Sequence, residues 1–104
     1  MLDLNELSKM AYENTCKRAE YEPEIKTGTI ETLKHCAGEV VEATEAFIGY
    51  DNHKTGINKT CLAGELADII CCVLTICGKE SIDIEYALTM CMTKNTNRAE
   101  RGRK

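Results

Sequence analysis

A segment near the middle of this 104-residue chain is apolar on almost every side and still carries two acids. On a helical wheel of about 100° per residue, residues 60–77 spread isoleucine, leucine, valine, alanine and cysteine around most of the circumference, a pattern typical of a buried helix. Glu65 and Asp68 lie one turn apart on one narrow face of it. No lysine or arginine stands between Thr60 and Gly78 to neutralise them.

Ionised carboxylates in a low-dielectric interior cost several kcal/mol unless a partner compensates them. This cost can be offset in three ways: protonation of the acids, a base from another helix, or a bound cation. Hard divalent cations prefer clustered carboxylate oxygens, so two acids at this spacing favour the cation. The sequence therefore predicts that residues 60–77 form a central helix and that Glu65 and Asp68 hold a divalent ion together with acids from another segment.

The preceding helix, residues 30–49, supplies a second acidic pair. Its main apolar stripe lies on a different face from Glu39 and Glu42, and small residues border these two acids, which permits another helix to approach closely. If residues 60–77 pack there, both acidic pairs converge on one point. Spacing alone proves little, because 17 acids in this chain produce such pairs by chance, and by themselves Glu39 and Glu42 fit a solvated face better.

Helical periodicity accounts for most of the remaining chain and predicts an all-α protein. We expect four helices, joined by a connection at 22–29 and an exposed loop at 49–59, over residues 4–21, 30–49, 60–77 and 84–98. Their expected boundary residues are Asp3 with Glu6 as a capping box, Thr29 and Asp83 as N-caps, and Gly78 as a C-terminal stop. Short connections favour a small antiparallel four-helix bundle, a single domain over residues 1–104. Because such short helices are marginal alone, the bundle is expected to gain burial by oligomerising.

Composition narrows the class of protein further. Seventeen acids against 13 bases give a net charge of −4, which argues against binding a nucleic-acid polymer or an anionic membrane. No uninterrupted apolar run reaches the roughly 20 residues of a membrane span, and the first residues lack a signal peptide's apolar block. Seven cysteines without a Cys-x-x-Cys pair are interpreted as reduced thiols, which predicts a cytoplasmic location. Residues 99–104 are interpreted as a solvated basic tail, and His35 and His53 as polar surface residues.

Three stretches, in order, resemble the MazG-type nucleotide pyrophosphohydrolases of the all-α NTP pyrophosphatase superfamily. They are GEVVEA at 38–43, GELADIICCVLTIC at 64–77 and IDIEYAL…MTKNTNR at 82–98. These match the family's E-x-x-E, E-x-x-D and N-x-x-R elements in order and approximate spacing. The resemblance covers roughly residues 30–98.

The resemblance implies a helical core that binds Mg²⁺, or Mn²⁺ as a substitute, through Glu39, Glu42, Glu65 and Asp68. It implies hydrolysis of a nucleoside or deoxynucleoside triphosphate to the monophosphate and pyrophosphate, a house-cleaning type of reaction, in a homodimer or homotetramer. Glu39 or Glu42 would then orient or deprotonate the attacking water.

The C-terminal element of the resemblance places phosphate-binding residues on the fourth helix. Asn95 and Arg98 share one face of that helix, Arg98 with its bidentate fork, and Lys94 lies next to them. Many relatives carry a lysine four residues before the asparagine, where this chain has Cys91. That departure leaves open a second hypothesis, a non-catalytic helical oligomerisation or regulatory module of the same fold. Such a module has no reason to keep two acids on an apolar helix.

Overall fold

The computed structural model describes residues 3–102, which form four α-helices and no strand. The helices are α1 (Leu4–Tyr21), α2 (Thr29–Asn52), α3 (Gly56–Glu80) and α4 (Ile84–Glu100). The predicted all-α class with four helices is confirmed. The final two residues of the predicted basic tail, 103 and 104, lie outside the described residues.

α3 is the central helix, because both α1 and α2 pack along it. Its buried residues cluster in its C-terminal half: Cys72, Leu74, Thr75 and Cys77. The expectation that α3 is buried on most sides is wrong for the single chain, since Leu66, Ile70 and Val73 are exposed. The apolar circumference of α3 is thus larger than the surface that α1 and α2 cover.

The predicted loop at 49–59 is wrong, because only residues 53–55 separate α2 from α3. The Thr55 hydroxyl caps α3 by accepting a hydrogen bond from the Asn58 amide at 3.1 Å, and the Asn58 side chain donates to the His53 carbonyl at 2.8 Å. Polar residues that resemble a loop therefore form the exposed first turn of a helix. At its other end α2 begins at Thr29, not after it, and the Thr29 hydroxyl donates to the Glu80 carboxylate.

The prediction that Gly78 ends α3 is wrong, because Gly78 lies inside this helix. The helix continues to Glu80 and ends at Ser81, which takes the left-handed conformation with φ 56° and ψ 40°. A Cβ on Gly78 would lie 2.1 Å from the carbonyl oxygen of Ser8 in α1, and Ser8 itself is 2% exposed. The glycine is there because the backbone of α1 passes directly over it.

We expect Gly78→Ala to destabilise the protein by about 1–3 kcal/mol, because the obstacle is backbone and the added methyl can be accommodated only by moving α1. Gly64→Ala is the matched control: its Cβ would meet nothing within 4 Å, so it should stabilise α3 by about 0.5–1 kcal/mol. Urea unfolding followed by circular dichroism measures both. Equal stability of the two variants would contradict the close contact between α1 and α3.

α4 leaves this three-helix core. It begins at the predicted N-cap Asp83, and Asn5 of α1 fixes the joint by donating to the Asp83 carboxylate and accepting from the Ile84 amide, both at 3.0 Å. After Ile84, every residue of α4 is exposed. The radius of gyration is 16.4 Å, whereas a compact chain of this length has about 13 Å. α4 is therefore an arm with little cover from its own chain.

α3 also has the length and composition of a membrane span, with a mean hydropathy of 1.9 over its best window. The search for uninterrupted apolar runs does not detect this helix, because Glu65 and Asp68 interrupt the run. The mean hydropathy of the window stays high in spite of these two acids. A mostly buried core helix of a soluble protein has the same length and hydropathy, whereas 22% of this window is buried by the rest of the chain.

Candidate metal centre

The pairing of α2 with α3 brings acids of both helices together. A three-residue turn makes the two helices antiparallel neighbours, so residues advancing along α2 meet residues receding along α3. One carboxylate oxygen from each of Glu39, Glu42 and Glu65 lies within 4.8 Å of the other two. Three of the four predicted ligands therefore form one cluster, which we call the carboxylate triad.

Two oxygens of the carboxylate triad are buried without a partner. Glu39 is 8% exposed, and Oε2 of Glu39 and Oε2 of Glu65 have no hydrogen-bond partner among residues 3–102. A buried carboxylate oxygen without a donor is costly, whereas a cation satisfies several at once. Glu42 is exposed and leaves the cluster open to solvent. The triad therefore fits a hard divalent cation such as Mg²⁺, which keeps some of its waters.

The electrostatics of Glu65 support this fit. Burial of its carboxylate is the main cause that raises its pKa, followed by the negative charges of Glu42, Asp68 and Glu39. A hydrogen bond with Glu42 acts in the same direction, because it favours the protonated form. Without a cation, the ionised form of Glu65 is therefore unfavourable in this cluster.

This raised pKa predicts how the metal-free protein responds to pH. A carboxyl group whose pKa is higher in the folded state binds more protons than in the unfolded state, so stability falls as the pH rises above about 4.5, its ordinary value, and through the folded pKa. We expect the melting temperature in EDTA to fall less with pH in Glu65→Gln than in the parent, and the variant to melt no lower near pH 7. Added Mg²⁺ should stabilise the parent and not the variant. A variant that melts well below the parent in EDTA would instead give Glu65 a structural role.

Asp68, the fourth predicted ligand, lies at the edge of the centre. It is exposed, it is not part of the triad, and its charge still raises the pKa of Glu65. It lines a neighbouring cavity together with Glu39. Asp68 is thus placed to reach a bound cation from the cavity side.

That cavity has a volume of about 530 Å³ and lies between α1, the 22–28 connection, α2 and α3. This is within the range of small-molecule sites, roughly 300–1,000 Å³. Most of its lining residues carry polar or charged groups, although they also present apolar surface: Thr15, Arg18, Glu24, Ile25, Lys26, Glu31, Thr32, His35, Glu39, Asp68, Cys71, Cys72 and Thr75. These residues include no Phe, Tyr or Trp, so hydrogen bonds, charge and the ring of His35 would recognise a ligand.

His35 contacts the triad, which its interpretation as a surface residue missed. Its side chain is 69% exposed, as expected, but its Nε2 lies 3.1 Å from Oε1 of Glu39, an ion-pair contact when the imidazole is protonated. This contact holds one oxygen of Glu39 and leaves the buried Oε2 for a cation. The i, i+4 spacing of the two residues was the available signal.

The predicted phosphate-binding residues are not beside the carboxylates of their own chain. Lys94, Asn95 and Arg98 are exposed on α4, and α4 packs chiefly on α1. The Asn95 amide contacts the Cys91 sulfur at 3.8 Å. A single protomer thus presents the acidic and basic elements on separate surfaces.

Comparison of the chain with protein-family models, with curated proteins and with solved structures finds no match. The resemblance to MazG-type enzymes stays a prediction from the three sequence elements. The function proposed below depends on those elements and on the geometry of the carboxylate triad.

Proposed function

We propose that this protein is a Mg²⁺-dependent nucleotide pyrophosphohydrolase, which converts a nucleoside or deoxynucleoside triphosphate to the monophosphate and pyrophosphate. The observation that carries the proposal is the carboxylate triad, with its two buried, unpartnered oxygens, next to a cavity of about 530 Å³. Such an arrangement would supply a cation site and space for a nucleoside side by side. Mn²⁺ is a suitable substitute, because it shares the preference for oxygen ligands.

In this proposal, the role of each residue of the centre depends on how exposed its side chain is. Glu39, Glu42, Glu65 and Asp68 would hold the cation, which neutralises triphosphate oxygens and makes a bound water more acidic. Glu42 is the most open member of the triad, so it is placed to orient a water and accept its proton. The contact of His35 with Oε1 of Glu39 would help to hold the orientation of that carboxylate.

We also propose that the chain self-associates. The reason is that a single chain has more accessible surface than a compact protein of its mass. The accessible surface is 7762 Å², about 1,900 Å² more than the roughly 5,800 Å² of a compact chain of 11.6 kDa. Stable interfaces bury comparable areas. The outer face of α2 exposes an apolar stripe, here called the α2 stripe: Ile30, Leu33, Val40, Val41, Phe47 and Ile48.

Self-association as a homodimer or homotetramer would cover the α2 stripe. It would also give α4 a neighbour, so that Lys94, Asn95 and Arg98 of one chain could meet the triphosphate bound at the carboxylates of another. Arg98 would then contribute a bidentate contact to phosphate. In this arrangement the exposed arm of each protomer belongs to a composite site.

The second candidate function is a non-catalytic helical oligomerisation or regulatory module. The separation of Asn95 and Arg98 from the carboxylates within one protomer favours it, as does Cys91 at the position where relatives carry lysine. In such a module the triad would bind a cation for stability alone. The two candidates differ in whether nucleotide turns over.

A cytoplasmic location and the absence of nucleic-acid polymer or membrane partners belong to the same proposal. All seven cysteines are free, and reduced thiols are typical of a reducing compartment. The net charge of −4 disfavours phosphate polymers and anionic lipid.

Pyrophosphate release from a panel of canonical and modified nucleoside triphosphates tests the proposal. We expect release with Mg²⁺ or Mn²⁺ and none with EDTA, with one nucleotide or a few preferred. If the folded oligomer binds the cation and releases pyrophosphate from no member of the panel, the enzyme proposal is wrong and the module remains.

A further inference from the structure

Two cysteines face each other across the pairing of α2 and α3. Cys36 lies seven residues after Thr29, and Cys72 lies eight before Glu80, the residue that Thr29 contacts. In the other direction, Cys36 is six residues before Glu42, and Cys72 is seven after Glu65. Because two cross-helix contacts bracket them at matching separations, the antiparallel register places Cys36 opposite Cys72.

The side chains of this pair lie close together. Cys36 contributes to raising the pKa of the Cys72 thiol, and Cys72 is 8% exposed while Cys36 is partly exposed. One turn away along the helices lie Glu39 after Cys36 and Asp68 before Cys72. Two thiols thus meet between the helices that carry the carboxylates.

We propose that Cys36 and Cys72 form a reversible disulfide that responds to a low-molecular-weight disulfide oxidant such as glutathione disulfide. The Cys36 thiolate attacks one sulfur of the oxidant, giving a mixed disulfide and one small thiol. The Cys72 thiol then loses its proton and attacks the Cys36 sulfur, releasing the second small thiol. The two cysteines lose two electrons and two protons, which the oxidant takes up.

The order of the two steps follows from exposure and charge. Burial is the main cause that raises the pKa of Cys72, to about 11, so its thiolate is scarce near neutral pH. Cys36 is open enough to meet an oxidant first. Once Cys36 forms the mixed disulfide, the Cys72 thiol lies next to the Cys36 sulfur that it attacks.

The disulfide would alter the carboxylate triad. A sulfur–sulfur bond of about 2.05 Å is shorter than any contact between two thiols, so closing it draws α2 and α3 together one turn from Glu39. We expect at least about 10-fold weaker Mn²⁺ binding in the oxidised protein, since disturbing the residues that support metal ligands typically weakens metal binding by about 10–100-fold. This consequence rests on the proposed cation site, whereas formation of the disulfide does not.

Peptide mapping of the oxidised full-length chain tests the pair. After glutathione disulfide treatment, alkylation and trypsin digestion without reductant, we expect the peptide 35–54 linked to the peptide 60–79, with fragmentation placing the bond at Cys72. Dithiothreitol should separate the two peptides. Cys36→Ser and Cys72→Ala should abolish the link, and Cys71→Ser, the adjacent control, should keep it. Circular dichroism confirms that each variant folds.

The outcomes separate the disulfide from the proposed function. Cys36 that stays unpaired, or stays joined to glutathione while Cys72 remains a free thiol, overturns the proposal. A linked peptide with unchanged Mn²⁺ affinity, measured by electron paramagnetic resonance, overturns the coupling to the triad. A reduced protein that binds no Mn²⁺ overturns the metal centre and leaves the mapped disulfide standing.

Discussion

Replacing Glu65 with glutamine is expected to reduce pyrophosphate release by at least about 100-fold while the oligomer stays intact. Glutamine keeps the size of the side chain and removes the charge of the triad member whose pKa burial raises. The cation would lose a ligand that no neighbouring residue of α3 replaces. Asp68→Asn should act in the same direction, through the cavity edge of the same centre. Initial rates at saturating Mg²⁺, with light scattering for assembly, measure both effects.

The control for this prediction is Glu45→Gln. Glu45 lies on α2 as Glu39 and Glu42 do, but it is exposed and outside the carboxylate triad. It should retain the parental rate within about twofold, because solvated helix charges contribute little. If Glu65→Gln turns over nucleotide like the parent, the carboxylates are not the reaction centre, whatever cation they bind.

Part of the candidate centre was predictable because the signal at Glu65 and Asp68 is local to the sequence, whereas Glu39 and Glu42 depended on how the helices pack. Two acids on a helix without a polar side are visible without any knowledge of the fold, and small residues beside Glu39 and Glu42 indicated where a helix packs. The structure brings together Glu39, Glu42 and Glu65 and leaves Asp68 at the edge. How far each carboxylate reaches depends on the register between helices, which spacing along one helix does not encode.

Other features depend on residues far apart in the sequence. In the sequence, a glycine that ends a helix and a glycine that admits another backbone look alike, and only the position of Ser8 over Gly78 distinguishes them. The polar start of α3 resembles a loop because most residues of its first turn are exposed. The contact of His35 with Glu39 needed the rotamer of each side chain, although both lie on α2.

The α2 stripe shows a different limit. The sequence separates the apolar face of α2 from its acidic face, and a single chain is expected to bury the apolar one. The structure turns the acids inward against α3 and leaves the apolar stripe outside. This inversion of the usual pattern agrees with the proposed cation at the acids and the proposed partner surface over the stripe.

Phe47→Glu is therefore expected to separate the proposed oligomer into monomers. Phe47 lies on the α2 stripe and is 49% exposed, so in a single chain the glutamate stays solvated and costs little. In an assembly that covers the stripe, the same charge would be buried without a partner, which weakens association by about 1,000-fold or more. Tyr21→Glu is the matched control, an aromatic-to-glutamate change at an 83% exposed position off the stripe. Light scattering at micromolar concentration should show monomers for Phe47→Glu alone.

The same assembly predicts complementation between two inactive variants. If α4 of one chain serves the carboxylates of another, a mixed dimer of Glu65→Gln and Arg98→Ala chains contains one site in which both groups are intact. Random mixing of the two variants should restore about a quarter of the parental rate, because half of the dimers are mixed and each has one of two sites intact. Adding Phe47→Glu to both chains should abolish the recovery. If a mixture that exchanges subunits recovers no activity, Arg98 and the carboxylates of each site belong to one chain. In that case α4 would have to fold back onto α2 and α3 of its own chain.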